Sequence, residues 1–201
     1  MAPLGWDDVR GALVIRPPMR VADAGQRAAV AMILKQGDNG LEVLFIQRAE
    51  HPEDPWSGQV GFPGGRAEAG DTDLTFTAIR ETAEEIGIDL GVEAELLGSL
   101  DEIRAMARMR PVDLVITPYV FRLRGGANPR LSAEVVGVHW LTLGELLDPA
   151  HRSVLDYPHQ ESTLRFPCLR LGGLVIWGLT YRMFLGFEEL LTAGNGSGAG
   201  R

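Results

Sequence analysis

The stretch that most restricts how this chain can fold is 48–70, where Pro52, Pro55 and Pro63 are interspersed with Gly58, Gly61, Gly64, Gly65 and Gly70. Proline removes a backbone donor and glycine weakens any regular element, so no long helix or strand can run through it. A loop of this length inside a compact domain is usually functional. Its flanks are regular. Residues 28–34 and 41–47 are apolar runs of strand length, and the turn cluster Gly37-Asp-Asn-Gly40 between them predicts an antiparallel pair. Beyond the loop, the spacing predicts a helix over 73–86, capped by Asp71 or Thr72 and stopped by Gly87.

Further strands are expected at 96–100, 114–123 and 135–141, with a short helix from Thr142, a strand around Cys168 and an amphipathic helix over 174–191. The chain has 201 residues, 45% of them hydrophobic and 23% charged, so a single domain with a sizeable core is expected. We read that domain as 27–192, preceded by an arm, 1–26, that packs on the domain or a partner, and followed by a flexible tail, 193–201. The element order predicts an α/β (α+β) fold, a mixed β-sheet with helices packed on it. A net charge of −8 lacks the basic surface that grips a nucleic-acid backbone, so no nucleic-acid partner is expected. Cys168 is the single cysteine and fits a reducing compartment. The first residues show no basic-then-apolar leader, and no apolar run approaches the ~20 residues of a membrane span, so a cytoplasmic protein with no membrane partner is expected.

On a helical wheel at ~100° per residue, Glu81, Glu84 and Glu85 share one face, while Phe76, Ile79, Ala83 and Ile86 fall opposite and are expected to pack on the sheet. Like charges at these spacings repel by roughly 0.2–0.5 kcal/mol per pair. Glutamates on an outer helix face are ordinarily solubilising groups. The bend at Phe62-Pro-Gly-Gly65 changes that reading, because glycine lets the main chain approach a ligand or metal closely. A hard divalent cation such as Mg²⁺ takes oxygen ligands and retains waters that a phosphate can displace. Bend and helix together point to a metal-diphosphate site.

This segment resembles the signature box of the Nudix hydrolases, G-x5-E-x7-R-E-U-x-E-E-x-G-U with U a bulky aliphatic residue. Gly65 opens it, Asp71 stands at the first glutamate, and Arg80-Glu-Thr-Ala-Glu-Glu-Ile-Gly-Ile88 closes it. Eight residues rather than seven separate Asp71 from Arg80, and Thr82 fills an aliphatic position. The resemblance implies an α/β/α sandwich and hydrolysis of a nucleoside diphosphate derivative with Mg²⁺ or Mn²⁺ as cofactor. By the same resemblance, Glu81, Glu84 and Glu85 bind the metal with the Gly64 carbonyl, and Arg80 holds the glutamates by charge-assisted hydrogen bonds. The general base is then Glu81 or a later residue, such as Glu102 or Glu134. Dimerisation is common in the family, which makes a homodimer a further expectation.

The residues upstream are similar to the signature of the coenzyme A diphosphatase branch, roughly L-L-T-x-R-[SA]-x3-R-x3-G-x3-F-P-G-G. Arg48, Ala49, Gly58 and Phe62 match it, as does the late Ile176-Trp-Gly-Leu-Thr-Tyr-Arg182. Arg48, Gly58, Phe62 and Gly65 are therefore the expected substrate-binding residues. Asp54 stands where the second arginine belongs, which removes a strong phosphate contact. Coenzyme A or an acyl-CoA is the leading substrate, with ADP-ribose, dinucleoside polyphosphates and NDP-sugars as alternatives. A nucleotide-sensing module without catalysis is the second alternative. Trp56 and Trp177 are candidates for base stacking or for core anchors, and Arg104, Arg108 and Arg110 for a phosphate-facing patch or a solvated loop. His51, His139, His151 and His159 show no metal-ligand spacing. No Gly-x-Ser-x-Gly elbow or P-loop is present.

Overall fold

Residues 28–34 lack the polar alternation of a half-exposed strand, and in the computed structural model of the protein they are buried on both faces. Residues 4–22, 25–53, 56–107, 110–126, 128–159 and 162–196 are described by the structure. Strand β1 (Gln26–Gly37) turns at Asp38-Asn39 into antiparallel β2 (Gly40–Arg48), with Gly37 opposite Gly40. On its other side β1 runs parallel to β7 (Arg110–Leu123), with Ala29 opposite Thr117. β2 also pairs with β3 (Val60–Gly61) and β8 (Val135–Thr142), and β7 pairs with β5 (Ala94–Ser99) and β6 (Ile103–Ala107). β4 (Gly64–Arg66) lies antiparallel on the first part of β1, completing an eight-stranded mixed sheet among the described residues. A separate three-stranded sheet contains β9 (Arg152–His159), β10 (Ser162–Leu171) and β11 (Leu174–Trp177).

The period of two along β1 divides the interior into two cores. Val30, Met32 and Leu34 join Phe45 and, from α5 (Gly178–Gly196), Phe184 and Phe187. Ala29, Ala31 and Ile33 join Leu44, Phe121 and, from α2 (Leu74–Ile86), Ala78 and Ile86. The sheet is thus covered by helices on both faces, an α/β/α sandwich. The small Ala29 and Ala31 let α2 lie close to the sheet. Short helices α3 (Leu90–Glu93) and α4 (Leu143–Leu147) and a 3₁₀ turn (Pro149–His151) complete the elements.

Within the segment read as a packing arm, Trp6–Val14 forms helix α1, which packs on α5 and β5 and buries Val9 and Ala12. The structure departs from the sequence reading in several places. The 48–70 loop contains β3 and β4. The apolar run 174–191 is divided between β11 and α5 at Gly178, whose φ of +62° ends the strand. The N-cap of α2 is Asp73, which accepts from the Phe76 amide at 2.8 Å, and not Asp71 or Thr72. Gly87 closes α2 in the left-handed conformation at φ +69°. The buried face of α2 is Thr77, Ala78, Thr82, Glu85 and Ile86, whereas Phe76 is 43% exposed and Ala83 is exposed. Thr82 takes a core position because its hydroxyl donates to the Ala78 carbonyl at 2.7 Å. The expected packing face is therefore rotated, and Glu85 turns inward.

Candidate active site

The site begins at the glycine bend. The Ala31 amide donates to the Pro63 carbonyl at 2.8 Å, and the next two residues pair with Val30 and Ala29. A Cβ on Gly64, which has a φ of +148°, would sit 2.3 Å from the Ala29 carbonyl oxygen and 2.5 Å from the Val30 Cα. A Cβ on Gly65 would sit 2.4 Å from the carboxyl carbon of Glu81. The first glycine is required by the sheet and the second by the carboxylate seated against it.

Arg80 organises the helix face. Its guanidinium grips Asp71 in a bidentate pair at 2.9 and 3.0 Å. It also donates to Glu81 at 3.0 Å, to Glu84 at 3.2 Å and to the Arg66 carbonyl at 3.1 Å. Asp71 further accepts from the Thr77 hydroxyl at 2.8 Å and the Glu68 amide at 3.0 Å. The Arg80 pair, followed by the Glu68 amide, holds the Asp71 carboxyl well below the usual carboxylate range. Asp71 thus anchors Arg80 despite the extra residue between them.

The three glutamates have different surroundings. Glu84 is exposed, Glu81 is half-buried and Glu85 is buried. Glu85 accepts from the Gly64 amide at 2.9 Å and pairs with Arg48 at 3.2 Å. Burial pushes Glu85 up to about 7 against those two partners, and the charges of Glu81 and Glu134 push it in the same direction. Burial also raises Glu81, opposed by Arg80 and reinforced by Glu84 and Glu134. Glu134 is an exposed residue whose carbonyl accepts from the Ala49 amide at 2.8 Å, beside Arg48. Glu102 has a different setting. It accepts from the Val21 amide at 2.7 Å, Thr117 at 3.0 Å and Arg27 at 3.1 Å, a set of contacts that leaves it poorly placed to take a proton.

Among the described residues, no three acidic, histidine or cysteine side chains are already gathered to hold an ion. The donor set nonetheless fits a hard divalent cation: three carboxylates on one helix, two of them carrying a charge that burial and their neighbours penalise. A cation would relieve that penalty. Glu81, Glu84 and Glu85 are the residues that would hold it, next to Gly64.

Beside the bend opens a cleft of about 390 Å³. Arg48, Phe62, Gly64 and Gly65 line it, together with Val60, Gln59, Trp56 and Arg66 from the loop and Leu179, Thr180 and Met183 from α5. Phe62 stacks on Phe45 at 5.0 Å and so forms a fixed floor. Trp56 lines the cleft and donates its indole N–H to the Met106 carbonyl at 3.3 Å. Gly58 is not among the lining residues; it turns at φ +68° beside a second hollow that it shares with Trp177. Trp177 packs at 5.3 Å on Tyr157 and 5.6 Å on Phe166, an aromatic cluster outside the cleft. Arg104 donates to the Ala22 carbonyl at 3.0 Å. Asp54, Arg108 and the Arg110 side chain lie outside what the structure describes. The contribution of α5 was missed in the sequence. Its one signal there was the Ile176–Arg182 stretch, which carries no charge pattern pointing to a site.

Residues 25–159 match the family description "NUDIX domain". Nudix hydrolase 15, mitochondrial, of Arabidopsis thaliana is 36% identical over 161 residues, covering 77% of this chain and 55% of that protein. The peroxisomal coenzyme A diphosphatase ndx-8 of Caenorhabditis elegans is 31% identical over 154 residues, covering 73% of this chain and 62% of that protein. The chain thus spans less than two thirds of either relative. The crystal structure of a MutT/nudix family protein from Enterococcus faecalis superposes with a TM-score of 0.58 at 17% identity, covering 94% of this chain and 70% of the other, which supports the fold alone.

Proposed function

The chain belongs to the Nudix hydrolase family, whose members act on phosphorus-containing anhydrides, and on that premise we propose that it hydrolyses the diphosphate of coenzyme A or an acyl-CoA. The observation that carries this reading is the seating of Glu81 and Glu85 against the Gly64–Gly65 bend, at the edge of a cleft large enough for a small-molecule substrate. Divalent cations, when bound, supply charge neutralisation of the diphosphate and a more acidic water.

The chain's own residues do the rest. Asp71 fixes Arg80, and Arg80 orients Glu81 and Glu84. The Gly64 amide and Arg48 orient Glu85. Water attacks one phosphorus, the bridging P–O bond breaks, and the proton from water passes to a carboxylate, for which Glu81 and Glu134 are the candidates. For coenzyme A the products are adenosine 3′,5′-bisphosphate and 4′-phosphopantetheine. Asp54, in place of the branch's second arginine, favours a second reading in which another nucleoside diphosphate, such as ADP-ribose, a dinucleoside polyphosphate or an NDP-sugar, is the substrate.

The test is incubation with coenzyme A, ADP-ribose and diadenosine polyphosphates plus Mg²⁺ or Mn²⁺, with products identified by mass. Coenzyme A is expected to give the two products above, and chelation with EDTA to stop the reaction. If no diphosphate in the panel is cut with either metal, the binding-module reading gains. No helix among the described residues is long and apolar enough to cross a membrane, and Cys168 is buried as a free thiol.

A further inference from the structure

We infer that the cleft beside the bend seats the amide-bearing aliphatic arm of the substrate, with Thr180 and Gln59 as its specificity-determining residues. This rests on the diphosphatase reading above and names which half of a coenzyme A-type molecule lies where. The walls are Val30, Val60, Phe62, Ile116, Leu179 and Met183, apolar surface suited to methylene and methyl groups. Charged Arg48, Glu53 and Arg66 also line the cleft, and two uncharged polar side chains, Thr180 and Gln59, interrupt the apolar surface. Thr180 is only 8% exposed, and its hydroxyl makes no hydrogen bond among the described residues. The Gln59 carboxamide, a donor and an acceptor, likewise makes no side-chain hydrogen bond among the described residues.

A hydroxyl that has no protein partner and opens onto a cleft is available to bond a ligand or a water. Against the aliphatic walls a sugar would bury hydroxyls for which Thr180 and Gln59 are the only uncharged side-chain partners among the described lining residues, apart from the indole N–H of Trp56, which is already given to Met106. The pantetheine arm presents two amides joined by methylenes, which a hydroxyl, a carboxamide and aliphatic walls complement. The Leu179-Thr180 stretch of α5 thus becomes the face that reads the non-nucleotide half.

Gly61 provides the second lever. An added Cβ there would have the Thr180 hydroxyl as its nearest neighbour, at an ordinary 3.6 Å, so a side chain at this position enters the cleft without a backbone clash. The experiment measures pantetheine binding by calorimetry for wild type, Thr180→Val and Gly61→Leu, alongside kcat and KM for coenzyme A and ADP-ribose. Pantetheine is expected to bind wild type, to bind Thr180→Val about tenfold more weakly, and to be lost from Gly61→Leu. If Gly61→Leu lowers the thermal midpoint, Gly61→Ala takes its place and weakens binding partially. Thr180→Val is expected to raise KM for coenzyme A about tenfold with kcat retained, leaving ADP-ribose kinetics unchanged. Absence of pantetheine binding to wild type overturns the inference. So does a parallel loss of both activities in Thr180→Val, or a Gly61→Leu variant that loses ADP-ribose binding instead, which would make the cleft the seat of the base. Pantetheine binding without cleavage of any diphosphate sinks the catalytic reading alone, and cleavage of coenzyme A without pantetheine binding sinks the cleft assignment alone.

Discussion

Gly64 and Gly65 are adjacent, yet a methyl group on each has a different consequence. On Gly64 it meets the backbone of β1 at a φ that disfavours any side chain, so Gly64→Ala is expected to cost about 1–3 kcal/mol of stability, measured by urea unfolding. On Gly65 it meets the Glu81 carboxylate, which can swing away. Gly65→Ala is therefore expected to keep its unfolding midpoint and to lose turnover by ~100-fold, the usual effect of misplacing a reacting group by about an ångström. Wild-type turnover in Gly65→Ala would show that the position of Glu81 does not matter. Arg80 links the two effects, since one guanidinium holds Asp71, Glu81 and Glu84 at once.

Helix α2 was largely legible in the sequence, because its signals are local. The Gly87 stop, the Arg-Glu-x-x-Glu-Glu spacing and the strand pair before the loop follow from residues within a few positions of each other. Its cap tests the refinement: Asp73→Ala is expected to cost about 1 kcal/mol, and Thr72→Ala to stay within about 0.5 kcal/mol, in chemical denaturation. Its orientation was not legible. A wheel places apolar residues inward, but here Phe76 faces out while Thr82 and Glu85 face in, because the glycine bend offers Glu85 a donor and Thr82 satisfies itself. β3 and β4 were hidden for a related reason: strands of two and three residues owe their existence to partners far along the chain. The contribution of α5 to the cleft is equally a product of tertiary packing.

At the scale of the whole molecule, two acidic residues tie the segment before β1 to the sheet. Asp101 takes Arg16 and the Met19 amide, and Glu102 takes the Val21 amide, Arg27 and Thr117. Burial alone would raise Glu102; the Val21 amide, Thr117 and Arg27 together outweigh it and hold the carboxyl below the ordinary glutamate value. A depressed carboxylate stabilises fully above the ordinary value of ~4.3 and loses that contribution as pH falls through its folded value. The protection of amides over residues 16–22, taken relative to the intrinsic exchange rate at each pH, is therefore expected to fall on acidification below about pH 4 before that of β1 does, while Glu102→Gln is less protected already at neutral pH and responds less to acid. Equal acid responses in wild type and variant would remove Glu102 from this role. The central claim is that a buried carboxylate at the glycine bend enables cleavage of a diphosphate, and it is tested most directly by turnover of Glu85→Gln on whichever diphosphate the wild type cuts, with the thermal midpoint followed in parallel. Turnover is expected to fall roughly 10²–10⁴-fold at a midpoint shifted by no more than a few degrees; a folded Glu85→Gln that turns over like wild type would contradict it.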